Sequence, residues 1–260
     1  MSRRGLSASA AVLLLTGVAA CSGESEGAPE PTASVSASPS AEVFSGARGA
    51  LAARAARAMD TAYAALYTLD DGRGQPRNVV ATAGRDGTWR VDVTGGALGG
   101  TADVSIVSTA AGVFQCTLGS QSNPISPTCV KVAKPGKRVP AEYSPKVERL
   151  FRQWLPVFTD RQPALAVTEV PPLAGAKGTC FSIDSISASL TAPVDIGIYC
   201  YADDGVLTAA RVGFGEVKVT NQIAGPATVP LPGPETAGPP MGMDAPPAVP
   251  VQPTGVTPSA

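Results

Sequence analysis

The chain has 260 residues, with 20 basic and 21 acidic side chains and no histidine. The near balance of charge argues against the basic face with which nucleic-acid binders hold phosphate, so no nucleic-acid partner is expected. The missing imidazole excludes Ser-His-Asp and Cys-His catalysis and removes the commonest zinc ligand.

Arg3 and Arg4 precede an apolar run from Ala8 through Leu13, Leu14 and Leu15 to Val18. A short basic region, a short apolar region and small residues before a cut form an export signal. The run falls short of the ~20 residues that span a bilayer. Val18-Ala19-Ala20 lead directly into Cys21, a pattern that resembles the lipobox of bacterial lipoproteins. The resemblance implies a lipoprotein signal peptide over residues 1–20 and acyl chains, palmitate among them, on the sulfur and amine of Cys21. It implies a place on the extracytoplasmic face of the cell membrane, with the membrane as partner through the lipid on Cys21. Removing residues 1–20 takes Arg3 and Arg4 and no acid, which leaves 18 basic against 21 acidic side chains. Ser2-Arg3-Arg4-Gly5-Leu6 carries part of a twin-arginine signal, so two export routes stay open.

Residues 21–45 are expected as the lipidated cysteine and a disordered tether, since Ser, Glu, Pro, Ala and Gly leave little to bury. A single globular domain is expected over residues 46–223. Alanine dominates from Phe44 to Leu69 and proline is absent, which predicts a helix. Leu51, Ala55, Ala58, Ala62, Ala65 and Leu66 form its apolar stripe, with Arg48, Arg54 and Arg57 largely off it. So alanine-rich a stripe suits core packing better than insertion into lipid.

From Asp70 the period shifts to two. Val79-Val80, then Trp89, Val91 and Val93, then Val104 and Ile106, then Val113 to Leu118 predict strands. Asp71-Gly72, Asp86-Gly87, Gly95-Gly96 and Gly99-Gly100 punctuate them. A polar loop over Ser120–Thr128 returns to a strand at Cys129. Lys131, Lys134, Lys137 and Arg138 make a short basic run, read as a solvated loop.

Ser144-Pro145 is a cap-and-first-turn pair, and Val147, Leu150, Phe151, Trp154, Leu155 and Phe158 follow at helical spacing. This predicts one strongly amphipathic helix, ended or kinked at Pro156. Ala164–Val170, Cys180–Ile183, Gly197–Tyr201 and Val206–Val219 read as strands, with Asp203-Asp204-Gly205 a hairpin turn. Residues 224–260 hold 11 prolines and no apolar period, so a Pro-rich disordered tail is expected.

Besides Cys21 the cysteines are Cys116, Cys129, Cys180 and Cys200. An even number in an exported chain reads as disulfides. Three pairings are open in principle, and proximity in sequence favours Cys116–Cys129 and Cys180–Cys200. Neither spacing is CxxC, so no metal, redox site or cofactor is expected. If Cys180 and Cys200 pair, alternation puts Phe181 and Ile183 on one face with Tyr199 and Tyr201, opposite the cysteines.

These elements predict an α+β domain: a curved antiparallel β-sheet, half-barrel-like, with an N-terminal helix and an inserted amphipathic helix packed on one face. The element order over roughly residues 46–222, the Trp89-Arg90-Val91-Asp92-Val93 strand and the Tyr201–Thr208 hairpin resemble the LolA and LppX/LprG half-barrel lipoproteins. Alanine and proline richness behind a lipobox is similar to secreted actinobacterial lipoproteins. The half-barrel resemblance implies a cavity for a lipid or other apolar ligand, with Leu150, Phe151, Trp154, Phe181, Tyr199 and Tyr201 as its candidate lining. A structural or protein-interaction role, with an envelope protein as partner, is the alternative. No GxSxG, SxxK or HExxH motif points to an enzyme. A carboxylate pair would have to come from acids such as Asp160, Glu169 and Asp184.

Overall fold

The computed structural model of the chain describes residues 46–120, 124–186 and 192–245. Helix α1 (Gly46–Asp60) leads into β1 (Tyr63–Asp70), β2 (Arg77–Ala83), β3 (Trp89–Ala97), β4 (Ala102–Thr109), β5 (Gly112–Leu118) and β6 (Cys129–Ala133). The short helix α2 (Leu155–Thr159) precedes β7 (Leu165–Val170), β8 (Thr179–Ser185), β9 (Gly197–Tyr201), β10 (Leu207–Val212) and β11 (Gly215–Ala224). All 11 strands form one antiparallel sheet in the order β6-β5-β4-β3-β2-β1-β11-β10-β9-β8-β7. Two runs of neighbouring strands therefore meet at the β1–β11 ladder, where Tyr63 stands opposite Ala224 and Asp70 opposite Glu216.

β1 corrects the sequence expectation of a helix continuing to Leu69. The helix stops at Asp60, and Tyr63, Ala65, Tyr67 and Leu69 point into the core while Leu66 is exposed. The period of two and the two tyrosines favour a strand, and pairing on both sides outweighs the helix propensity of Ala64 and Ala65. The stop is capped from outside the helix. Arg152 donates to the carbonyls of Ala58 and Met59 at 3.0 and 2.8 Å, two of the acceptors that a helix end leaves open.

The expected helix over Val147–Phe158 is also corrected. A 3-10 turn covers Val147–Leu150, a turn follows, and α2 begins at Leu155. Pro156 has no N–H for the bond that a continuous helix needs, and it sits in the first turn of α2 instead. The apolar periodicity still identified the buried residues, because Val147, Leu150, Phe151, Trp154, Leu155 and Phe158 are all in the core.

One main cluster joins Leu51, Ala55 and Ala58 of α1, the 147–158 side chains and the inward residues of the strands. The opposite face of the sheet is covered at its two ends. Leu173 packs there with Cys180, Cys200 and Ala209, and Leu231 packs on Val107, Phe114, Cys116 and Cys129.

Leu231 belongs to a segment that the sequence presented as disordered. The Pro-rich stretch expected as a tail from residue 224 is, as far as residue 245, bound to the domain; residues 246–260 lie outside the described residues. Pro226 and Ala227 accept from Arg85 and Asp86 N–H, and Val229, 3% exposed, donates its own N–H to the Thr88 hydroxyl. Cys129 N–H donates to Pro234 and Thr236 N–H donates to Cys129, which puts the strap along the outer edge of β6. Beyond that edge Met241 and Met243 pack against the main cluster. The strap thus passes from one face of the sheet around its edge to the other. Proline suits such a path, since it has no N–H that would need an acceptor. Close packing rather than a periodic stripe makes the contact, which is why no apolar period marked it.

Candidate functional site

Both expected disulfides are present, Cys116–Cys129 and Cys180–Cys200. Each joins residues directly opposite one another in neighbouring strands. The second pairing sets Phe181 opposite Tyr199, and Phe181, Ile183, Tyr199 and Tyr201 all lie in the main cluster, away from Cys180 and Cys200. Cys21 and its flanking signal lie outside the described residues.

The six candidate cavity residues come together in the main cluster. Leu150, Phe151, Trp154, Phe181, Tyr199 and Tyr201 are all buried. Phe151 lies 4.8 Å from Tyr67 between ring centroids, and Tyr199 meets Phe158 edge-on at 5.5 Å. Neither of the two surface cavities described below is lined by any of the six.

Polar groups thread this core. Trp154 donates through Nε1 to Asp195 at 3.0 Å, and the Tyr199 hydroxyl donates to the Asp195 carbonyl. The Arg138 guanidinium stacks 4.8 Å from the Trp154 ring, so one member of the basic run is not simply solvated. Tyr67 donates to the Leu207 carbonyl at 2.9 Å, whereas the buried Tyr201 hydroxyl has no partner. Burial pushes the phenols of Tyr67, Tyr199 and Tyr201 well up, which keeps them neutral.

The large opening lies elsewhere. A cleft of about 1150 Å³ is walled by the β1–β2 turn, the β10–β11 turn, Ser144–Lys146 and Met243–Asp244. Its floor is continuous with the core: Leu69 and Val212 belong to the main cluster, and Phe214 and Met243 pack against it. Its rim is charged. Arg77 pairs with Asp71 at 2.8 Å and donates to the Gly95 carbonyl at 2.6 Å. Glu216 accepts from Lys218 at 2.7 Å and Arg211 at 2.6 Å, contacts that hold its carboxyl below the usual range, Lys218 foremost. Among the described residues Arg73 and Lys146 have no ion-pair partner. Lys146 also holds a left-handed backbone at φ 66°, a conformation that costs a side-chain-bearing residue energy and is enriched at functional positions. The cleft thus combines a small apolar floor with a predominantly polar, charged wall. Sequence reasoning missed it, because hairpin turns, one loop and the strap build it jointly. A smaller cavity of about 390 Å³ lies beside Arg48, Pro163 and Ile186.

The acids weighed for catalysis do not form a pair in the sheet. Glu169 stands opposite Phe181 and Asp184 opposite Ala166, three positions apart and so on opposite faces. Asp160 ends α2. Among the described residues no group of three or more Asp, Glu, Cys or His could hold a metal ion. Among the same residues no helix is long and apolar enough to cross a membrane. Compared with protein-family models and with curated proteins, the chain matches none.

Proposed function

We propose that this chain is a lipid-anchored envelope lipoprotein, held through Cys21 on the extracytoplasmic face of the membrane, that binds an apolar or lipid ligand without catalysis. The observation that carries the reading is the cleft, whose floor of Leu69, Val212, Phe214 and Met243 runs into the core. A ligand would lay its apolar part on Phe214 and Met243 and offer a negative group to Arg73 and Lys146. The six interior residues belong to the same main cluster that this floor packs against. In this reading the sheet curves as a half-barrel with the helical segments on its concave side, as in the LolA and LppX/LprG lipoproteins it resembles. The two disulfides suit the oxidising compartment that the reading requires.

Native mass spectrometry of the full chain, purified from lipid-containing cells, tests it. A bound lipid-sized mass that is lost in Phe214→Asp supports the reading. Repeated recovery of ligand-free protein counts against it.

A protein-interaction role is the second reading. Leu66 and Ile223, 37% and 63% exposed, lie on the same outer face of β1 and β11 and favour it. Cross-linking in intact cells tests it, and absence of a reproducible partner would weaken it.

A further inference from the structure

The last part of the strap is held in an unusual way. The Gln115 side chain, 3% exposed, accepts from Met241 N–H at 2.6 Å and donates to the Met241 carbonyl at 2.8 Å. It thus pairs with both polar groups of one residue's backbone, as a neighbouring strand would. Nε2 also reaches the Tyr143 carbonyl at 3.2 Å. One residue on, Leu98 N–H donates to the Gly242 carbonyl at 3.0 Å. Gly99 N–H then donates to the Met243 carbonyl at 2.8 Å, and Met243 N–H donates to Glu142 at 3.2 Å. Three consecutive residues are therefore read through their main chain by three different parts of the domain.

Side chains add an apolar filter. Met241 and Met243 both pack against the main cluster, whereas a side chain at Gly242 would meet nothing within 4 Å. The groove is shaped to close approach: a Cβ at Gly99 would lie 2.7 Å from that of Ala245.

We infer that Leu98–Gly99, Gln115 and Glu142 form a groove for an extended peptide with an apolar-any-apolar pattern, and that residues 241–243 occupy it in cis. The partner is an extended segment of another protein, bound by displacing the strap's end. Main-chain hydrogen bonds supply affinity and alternate side chains supply selectivity, the usual division in strand-like peptide recognition. Displacement need not unfold the domain. Met241–Met243 are half-buried, while further back Val229 is buried beside Thr88 and Leu231 anchors the strap on the other face. Once the strap's end leaves, the Gln115 oxygen loses its donor, and an incoming peptide N–H takes that place. Met243 also lines the cleft, so the two sites share the strap's end, and its departure would remove part of the cleft's floor.

The test uses the full chain carrying Met241→Asp with Met243→Asp, which weakens cis occupancy. A fluorescein-labelled peptide with the sequence of residues 239–245 is titrated by anisotropy. The tethered segment competes at an effective concentration on the order of millimolar in the wild type. The peptide should therefore bind the double variant at least tenfold tighter, and Gln115→Leu in that background should reverse the gain. Equal binding to both proteins, or none to a variant with native circular dichroism, overturns the inference. A second measurement does not depend on the variant folding. In wild type the Leu98 and Gly99 amides should exchange with solvent at least tenfold faster than those of Val91 and Val93. Equally slow exchange would make the strap a permanent part of the domain and overturn the groove as a docking site.

Discussion

The Ser144 hydroxyl donates a 2.6 Å hydrogen bond to Glu148, the one fully buried carboxyl among the described residues. Arg149 lies 3.9 Å from the same oxygen, and the other carboxyl oxygen has no partner. Burial pushes the Glu148 carboxyl above its ordinary 4.5, with Ser144 and then Arg149 only partly offsetting it. A carboxyl raised on folding favours the folded state most below the unfolded value. That contribution falls as pH rises through the folded value. Glu148→Gln keeps an acceptor for Ser144 and removes the titration. We expect the variant's thermal midpoint relative to wild type to rise between pH 4 and pH 7. A relative midpoint flat across that range would show that Glu148 does not titrate on folding.

Tyr67 and Tyr201 make a paired test of buried hydroxyls. Tyr67→Phe leaves the Leu207 carbonyl without its donor and should cost about 1–2 kcal/mol. Tyr201→Phe removes a hydroxyl that has no partner and should be neutral or stabilising. Urea denaturation of the two variants checks the order, and the reverse order would place an unseen partner on Tyr201.

Unreduced peptide mapping should link Cys116 to Cys129 and Cys180 to Cys200. Each bridge closes a short loop, 13 and 20 residues in sequence separation, and its loss should cost about 3 kcal/mol in the chain-entropy account. Replacing Cys129 and Cys116 by alanine carries an added effect: the main-chain bonds to the strap remain, but the edge strand that offers them loses its covalent tie to β5. Protease sensitivity within residues 225–245 should rise in that variant and not in Cys180→Ala with Cys200→Ala.

Cys21→Ser should release the processed chain from washed membranes. One acyl chain binds only marginally, so the anchor proposed above would need more than one on this residue. Processed mutant that stays with the membrane would mean that the domain itself binds there, and would move the protein-interaction reading ahead of the ligand-binding one.

Where burial followed a simple period, the sequence alone was enough. Trp89–Val93, the aromatic faces around Cys180 and Cys200, and the six core side chains from Val147 to Phe158 were all read from spacing. Helix against strand went wrong at Tyr63–Leu69, where alanine pointed one way and central pairing the other. Helix continuity failed at Pro156, which local rules allowed either to end a helix or to begin one. The strap and the cleft were beyond reach. Their residues meet through turns and single close contacts, such as Gly233 against the Pro127 carbonyl, and no local period records these.

The β1–β11 ladder has a consequence for how the chain is made. Residues 63–133 can pair hairpin by hairpin as they appear, and so can residues 165–224. The seam between them closes only when the last strand is complete, since β1 waits for β11. Long-range closure of this kind is slow compared with neighbouring hairpins. Until β11 arrives, β1 therefore presents an open strand edge of unpaired N–H and C=O groups. The chain's own C-terminal half must reach that edge before the edge of another molecule does.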